Sequence, residues 1–383
     1  MYYFDHAAST RLPASVEQAM SEAYDQYGNV HRGIHRNSVV TTEAYEGARS
    51  RVADFINAES DEIAFTHGTT EGINLVARGL EHRIEALDNI IVTEMEHHSN
   101  LAPWQALAAR TGAKLKVVSI NRSGLLDLDD LRDKIDSRTK ILAFPSISNV
   151  LGTVLPVSTI VNIAGERGVL TLVDAAQSVG HMPIDVREWG ADFVVFSGHK
   201  MYAPTGIGAL YSTQFWMLRP TFLGGGMIHE NTFDDYCYAS DNRMFECGTP
   251  PIIQAIALGA ATEFIRQEIG WERIQNQEEH VTKYAYERLE DWGADIIGPS
   301  VAKRAPLISF NIGSIHPHDV AEILDEHNVA VRAGHHCAQP LHRKLGLNAS
   351  VRASFNFNNM EWEVDKMMTA INRVHTLLKR RDP

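Results

Sequence analysis

Seven short apolar runs recur between residues 41 and 212, separated for the most part by segments of helical period, and few folds accommodate that alternation. The runs are Ile63-Ala64-Phe65, Ile90-Ile91-Val92, Leu115-Lys116-Val117-Val118, Ile141-Leu142-Ala143-Phe144, Leu170-Thr171-Leu172-Val173, Phe193-Val194-Val195-Phe196 and Gly208-Ala209-Leu210-Tyr211. They are rich in Val, Ile and Phe, and most place apolar residues at consecutive positions, as strands covered on both faces do. Helical spacing fills most of the gaps, as in Tyr45, Ala48, Val52 and Phe55 and again in Ile73, Val76, Ala77 and Leu80. Such an alternation predicts an α/β fold: a large domain built on a mostly parallel seven-stranded sheet with helices on both faces.

Beyond residue 250 the pattern changes to a long apolar helix over 252–269, a charged helix over 271–291 and then a mixed α/β region. A chain of 383 residues is long enough for two cores. The expected division is a large domain over 13–261 and a smaller α/β C-terminal domain over 262–383, with residues 1–12 packing on the smaller one.

In open sheets of this kind ligands bind beyond the carboxyl ends of the strands, and here those positions are polar. His67-Gly68-Thr69-Thr70 follows the first run, Glu96-His97-His98 lies shortly after the second, and Ser148-Asn149 comes after the fourth. Asp174-Ala175-Ala176-Gln177 and Ser197-Gly198-His199-Lys200 follow the fifth and sixth. A lysine directly beyond a buried strand can form a Schiff base with an aldehyde cofactor, although a surface lysine after a strand has the same letters. Asp174 suits a pyridine nitrogen that must stay protonated, or it caps the next helix. Together Lys200 and Asp174 point to pyridoxal 5'-phosphate. The segment from His67 to Gly72 opens a helix after a strand, where backbone N–H groups and hydroxyls can receive a phosphate; an N-cap with Glu71 in the first turn needs no ligand. His97 either stacks on a pyridine ring or bonds loop backbone.

A second reactive pattern is Arg332-Ala333-Gly334-His335-His336-Cys337-Ala338, which sets one of three cysteines behind two histidines and a glycine. Neighbouring Arg or protonated His favours the nucleophilic thiolate, while a buried loop cysteine beside backbone-bonded histidines is the structural alternative. No second cysteine cluster completes a zinc set, so no metal is expected. Cys237, Cys247 and Cys337 are an odd set, which argues against a disulfide framework and for a reducing compartment. A formal charge of -13 with scattered basic residues argues against a nucleic-acid groove, and the closing Lys379-Arg380-Arg381 reads as a solvated helix end. With no apolar run of about eighteen residues and no basic-then-apolar start, neither a membrane span nor a signal peptide is expected, and the cytoplasm is the expected compartment.

In their order along the chain these motifs resemble the class V fold-type I pyridoxal phosphate enzymes and, within them, the group II cysteine desulfurases of the SufS and CsdA type, related to selenocysteine lyase. The resemblance runs through H-R-G-I-H (31–35), A-Y-E-G-A-R (44–49), H-G-T-T-E-G-I-N-L-V-A (67–77), E-M-E-H-H-S-N (94–100) and S-N-V-L-G-T (148–153). It continues through D-A-A-Q-S (174–178), F-S-G-H-K-M-Y-A-P-T-G-I-G (196–208), F-E-C-G-T-P (245–250) and R-A-G-H-H-C-A-Q-P-L (332–341).

The resemblance implies that Lys200 holds the cofactor and moves protons at the substrate Cα. It implies that Asp174 pairs with the ring nitrogen, Gln177 bonds the ring hydroxyl, Asn149 lies beside that hydroxyl and the substrate, and His97 stacks on the ring and takes a catalytic part by relaying protons. Thr70, Ser197, His199 and the backbone at Thr69 would bind phosphate. Thr249 would reach the phosphate of a partner subunit in a homodimer. Arg352, fifteen residues past Cys337, would clamp the substrate carboxylate, with His35 and Arg332 lining the site entrance. The implied activity converts L-cysteine to L-alanine with a persulfide on Cys337, from which sulfur passes to an acceptor protein, as in iron-sulfur cluster assembly. Selenocysteine lyase or another class V enzyme, an aminotransferase or epimerase, is the alternative; a non-catalytic binding scaffold is the reading from another class. Four departures stand out: with an expected strand at Tyr2-Tyr3-Phe4-Asp5 the family's N-terminal helix is not expected, Gly224-Gly225-Gly226 runs into Met227-Ile228 without the family's glutamate, residues 229–244 look little like its dimer-spanning hairpin, and Cys247 stands where alanine is common.

Overall fold

The structure is a computed structural model and describes residues 1–378, with side chains through Val374; the basic run at 379–381 lies outside the described residues. After a short strand β1 (Tyr2–Tyr3), the seven apolar runs form β2 (Ile63–Thr66), β3 (Asn89–Thr93), β4 (Lys114–Val118), β5 (Thr139–Pro145), β6 (Leu170–Asp174), β7 (Phe193–Ser197) and β8 (Gly208–Ser212). They make one sheet in the order β2-β8-β7-β6-β5-β3-β4. The pairs from β7 through to β4 are parallel, whereas β8 runs antiparallel to both of its neighbours, so the sheet is mixed with one reversed strand. The reversal follows from chain length: the link from β7 to β8 is residues 198–207, too short for the crossover helix that a parallel return requires.

Side chains of the central strands alternate between two cores, one on each face of the sheet. On β5, Leu142 and Phe144 join the core that holds Tyr45, Val52 and Ile256, while Ile141 and Ala143 join the one that holds Ile73, Val76 and Trp104. Burial on both faces is why these strands carry consecutive apolar residues instead of an alternating pattern. The helix Thr69–Gly79 lies close on the sheet because Gly72 faces Val195, where a Cβ would come within 2.8 Å of Val195 Cγ1.

A hairpin of β9 (Ile228–Asn231) and β10 (Tyr236–Tyr238) follows the large sheet and carries Cys237 on an exposed strand. The apolar stretch expected as one helix over 252–269 is α-helical at Ile252–Glu263 and widens to a π-helix at Phe264–Ile269. Gly270, at φ 82°, ends it before the helix Trp271–Trp292, a position an L side chain would strain. Ile265 and Ile274 still belong to the first core.

The C-terminal region is a second sheet in which β11 (Asp295–Ile297), β12 (Leu307–Asn311), β14 (Arg332–Gly334) and β15 (Ser350–Ser354) are antiparallel in the order β11-β12-β15-β14, with β13 (Val329–Ala330) separate from it. Strand β1 pairs in parallel with β13, and Phe4 is buried in the same cluster as Phe310, Phe355 and Ile371. Residues 2–4 thus pack with the C-terminal core, whereas Thr10 bonds His199 and Tyr202 beyond β7. No described helix is long and apolar enough to cross a membrane.

Candidate active site

A cavity of about 250 Å³ opens where the carboxyl ends of β5, β6 and β7 meet β14 and β15. The residues to which the resemblance gives a catalytic, cofactor-binding or substrate-binding role all line it except His35 and Thr249.

At one corner the chain leaves β2 and turns into the helix Thr69–Gly79. Gly68 adopts φ 141°, and a Cβ there would come within 3.0 Å of Ser197 Oγ, so glycine keeps this corner open. The Thr69 N–H donates to Ser197 Oγ at 2.8 Å, and the Thr69 and Ser197 hydroxyls are also 2.8 Å apart. Thr70 Oγ1 lies 2.8 Å from Ser99 Oγ. The first intrahelical bond is Gly72 N–H to Gly68 O, so the amides of Thr70 and Glu71 precede it at the positive end of the helix. Hydroxyls, open backbone and helix dipole together suit an anion of phosphate size.

Along the floor, Asp174 ends β6 and Lys200 closes a single turn after β7. Asp174 Oδ1 accepts the Ala176 N–H at 2.9 Å. Burial raises its carboxyl above the usual range, with Lys200 opposing the shift. Burial likewise lowers the Lys200 ammonium, opposed by Asp174 and reinforced by Arg352. Lys200 makes no hydrogen bond or ion pair among the described residues. Its turn is fixed from the N-terminal segment, since Thr10 N–H donates to His199 O at 2.8 Å and Tyr202 N–H to Thr10 Oγ1 at 2.7 Å. Gln177 is oriented the same way, its Nε2 donating to Ala7 O at 2.9 Å.

His97 accepts the Ser99 N–H on Nδ1 at 3.1 Å, which makes Nε2 the protonated nitrogen of the neutral ring. Burial, with Lys200, His98 and Arg352 nearby, pushes its pKa down to about 4.

The far wall comes from the second sheet, in which Arg332 and Arg352 are cross-strand partners. Asp5 joins them: Arg332 donates from Nε at 3.1 Å to both carboxylate oxygens and from Nη2 at 2.7 Å to Oδ2, while Arg352 Nη2 lies 3.4 Å from Oδ1. Arg352 Nη1 donates to Asn149 O at 3.0 Å, and its buried Nε has no partner among the described residues. Burial lowers this guanidinium to about 10, which leaves it charged at neutral pH. Asn149 Nδ2 donates to His336 O at 2.7 Å. His336 and Cys337 are consecutive residues at φ 49° and 55°, left-handed backbone that non-glycine residues seldom adopt and that collects at functional loops. Cys337 is free and exposed, and the other two cysteines are unpaired as well.

His35 is an exposed N-cap of the helix Arg36–Phe55, its Nδ1 accepting the Ser38 N–H at 3.3 Å. Thr249 is exposed beyond Gly248. Neither lines the cavity of its own chain. Asp5, Ala7 and Ser99 are not candidates in the sequence, and His336 enters there only as part of the run around Cys337. Ser99 and His336 sit inside matched motifs, and Asp5 follows a short apolar run that marks a strand end. Among the described residues no cluster of three or more His, Cys, Asp or Glu could hold a metal ion.

The aminotransferase class-V family matches residues 2–367 of the chain. A probable cysteine desulfurase of Streptomyces coelicolor is 46% identical over 385 residues, covering 98% of this chain and 92% of that protein. The apo structure of a cysteine desulfurase from Thermococcus onnurineus NA1 superposes with a TM-score of 0.94 at 43% identity, covering 97% of this chain and 94% of that one. The Escherichia coli cysteine desulfurase CsdA, in an S-sulfonic acid form, gives a TM-score of 0.92 at 36% identity over 98% of this chain and 95% of its own. By sequence and by architecture, the chain belongs to the aminotransferase class-V family, in its cysteine desulfurase branch.

Proposed function

We propose that the chain is a pyridoxal 5'-phosphate enzyme that takes L-cysteine to L-alanine and collects the sulfur as a persulfide on Cys337. The observation that carries this is a single cavity lined by Lys200, Asp174, Arg352 and Cys337, an amine, a buried carboxylate, a guanidinium and an accessible thiol. Its corners fit the cofactor. The opening kept by Gly68, with the Ser197, Thr69 and Thr70 hydroxyls and His199 nearby, suits the phosphate. Asp174, whose Oδ2 receives no donor among the described residues, suits the ring nitrogen, with Gln177 and Asn149 for the ring hydroxyl and His97 for the ring face. When bound there, pyridoxal phosphate supplies an electron sink conjugated with the substrate Cα.

The chain's own groups do the rest. Arg352, which lines the cavity and whose Nη2 has only the long contact to Asp5 among the described residues, takes the substrate carboxylate. Arg332, held by Asp5, lines the approach. Lys200, its ammonium pKa lowered by burial, accepts the Cα proton and returns a proton to the product. The Cys337 thiolate forms a sulfur–sulfur bond as the substrate carbon–sulfur bond breaks, so the sulfur stays as a persulfide and the three-carbon remainder leaves as L-alanine. An acceptor protein then takes the sulfur. Exposed His35 and Thr249 serve a partner subunit's site in a homodimer.

The test is a product panel on purified protein. Alanine formed in step with sulfide from L-cysteine, and a cofactor absorbance lost on borohydride with the label on Lys200, support the reading. Transamination of a keto acid without alanine from L-cysteine overturns it.

A further inference from the structure

The reactive cysteine stands on a loop in which every carbonyl from His335 to Ala338 is taken by a donor. His335 O accepts the Ala338 N–H at 2.8 Å, His336 O accepts Asn149 Nδ2 at 2.7 Å, Cys337 O accepts the His98 N–H at 2.7 Å and Ala338 O accepts the His342 N–H at 3.2 Å. The left-handed backbone of His336 and Cys337 is unfavourable and persists only where surrounding contacts over-determine it.

His342, in the helix Gln339–Lys344, and Ser350, at the start of β15, are both fully buried, and neither lines the cavity. His342 Nδ1 lies 3.1 Å from Ala338 O and its Nε2 3.0 Å from Ser350 Oγ. A carbonyl can only accept, so Nδ1 carries the hydrogen of the neutral ring and Nε2 is the lone pair that takes the Ser350 hydroxyl hydrogen. Burial, opposed by the bond to Ala338, lowers the ring's pKa from its usual value and keeps it neutral. His336 Nε2 lies 3.0 Å from the same hydroxyl and 3.1 Å from the Ser350 carbonyl, so there it is the donor. The donors therefore run one way, from His336 to Ser350 to His342 to Ala338. That chain begins one residue before Cys337 and ends one residue after it, closing a ring behind the thiol.

We propose that His342 and Ser350 are positioning residues for sulfur transfer, holding the Cys337 thiol at the substrate sulfur without touching substrate or cofactor. The inference rests on the cysteine desulfurase reading above. Sulfur–sulfur bond formation needs the two atoms aligned at about 3–3.5 Å, so a small shift of the loop slows it. Proton exchange at Cα needs Lys200 and the cofactor, not the thiol.

Two variants of the holoenzyme separate positioning from a general structural role. His342→Phe fills the space and loses both side-chain bonds; Ser350→Ala removes the shared hydroxyl. One measurement is the single-turnover rate at which L-cysteine yields alanine. The other is exchange of the Cα hydrogen of L-alanine in deuterium oxide, followed by NMR, which proceeds without Cys337. The proposal expects the first rate to fall about tenfold or more in each variant while the second stays within about twofold of wild type. An unchanged first rate in either folded variant, or an equal fall in both rates, overturns it. If only one variant folds, its two rates decide; if neither does, the pair is structural and the proposal fails. Wild-type protein that makes no alanine from L-cysteine, or exchanges no Cα hydrogen of L-alanine, overturns the underlying reading instead.

Discussion

Arg352 donates from Nη1 to the backbone carbonyl of Asn149 at 3.0 Å, so the arginine that faces the cavity also fixes the turn carrying another of its lining residues. The whole turn is held from the second sheet. Ser309 Oγ donates to Val150 O at 2.6 Å, Arg304 Nη1 to Leu151 O at 2.9 Å and the Ala305 N–H to Gly152 O at 2.8 Å. Four consecutive carbonyls are thereby taken by the C-terminal region, and the two halves of the cavity share one framework.

Replacing Arg352 therefore has two effects. Arg352→Lys keeps the charge and loses the planar fork, so KM for L-cysteine should rise about tenfold to a hundredfold. Because the Asn149 turn loosens as well, kcat should fall with it. Steady-state kinetics check this, and an unchanged KM would remove Arg352 from the carboxylate site.

Arg304 is buried with no carboxylate partner among the described residues, and its guanidinium donates to the carbonyls of Leu151, Leu307, Ile297 and Pro299. Arg304→Met should cost about 2–4 kcal/mol, since a buried acceptor stranded without its donor costs ~1–3 kcal/mol. The denaturant midpoint reads the stability loss. A higher KM for L-cysteine should accompany it through the displaced turn.

Glu96 gives a pH test. It is fully buried and accepts from the Thr93 N–H and hydroxyl at 3.1 and 2.6 Å and from Asn100 Nδ2 at 2.6 Å, with Asp174 the nearby charge. Burial dominates and raises its pKa from 4.5 to about 8. Between those values the folded chain keeps a proton that the unfolded chain releases, so this contribution to stability is complete below pH 4.5 and lost as pH rises through 8. Glu96→Gln lacks that slope. Its melting temperature relative to wild type should be more favourable at pH 9 than at pH 5; an equal difference at both contradicts the assignment.

The seven strands were legible because burial on both faces writes itself as consecutive apolar residues, and the residues just beyond them were legible because strand ends of such sheets face a ligand. What stayed hidden depends on contacts distant in the chain. Asp5 pairs with Arg332 across 327 positions, and nothing local to either residue announces the other. The hold of Ala7 on Gln177 is a backbone carbonyl and has no side-chain signature at all. The π-helical end of the 252–269 stretch was equally invisible, since α and π turns share one apolar pattern over so few residues. His35 and Thr249 face solvent on their own chain, so their part in a site is a question about two chains.

The central claim is that Cys337 receives the substrate sulfur. The direct measurement is mass spectrometry of the peptide holding Cys337 after one turnover with L-cysteine, with alanine quantified in the same sample. The account predicts one added sulfur on Cys337 matched by one alanine, and no alanine from Cys337→Ala although its cofactor absorbance persists. Alanine at the wild-type rate from Cys337→Ala, or the sulfur found on Cys237 or Cys247 instead, would contradict it.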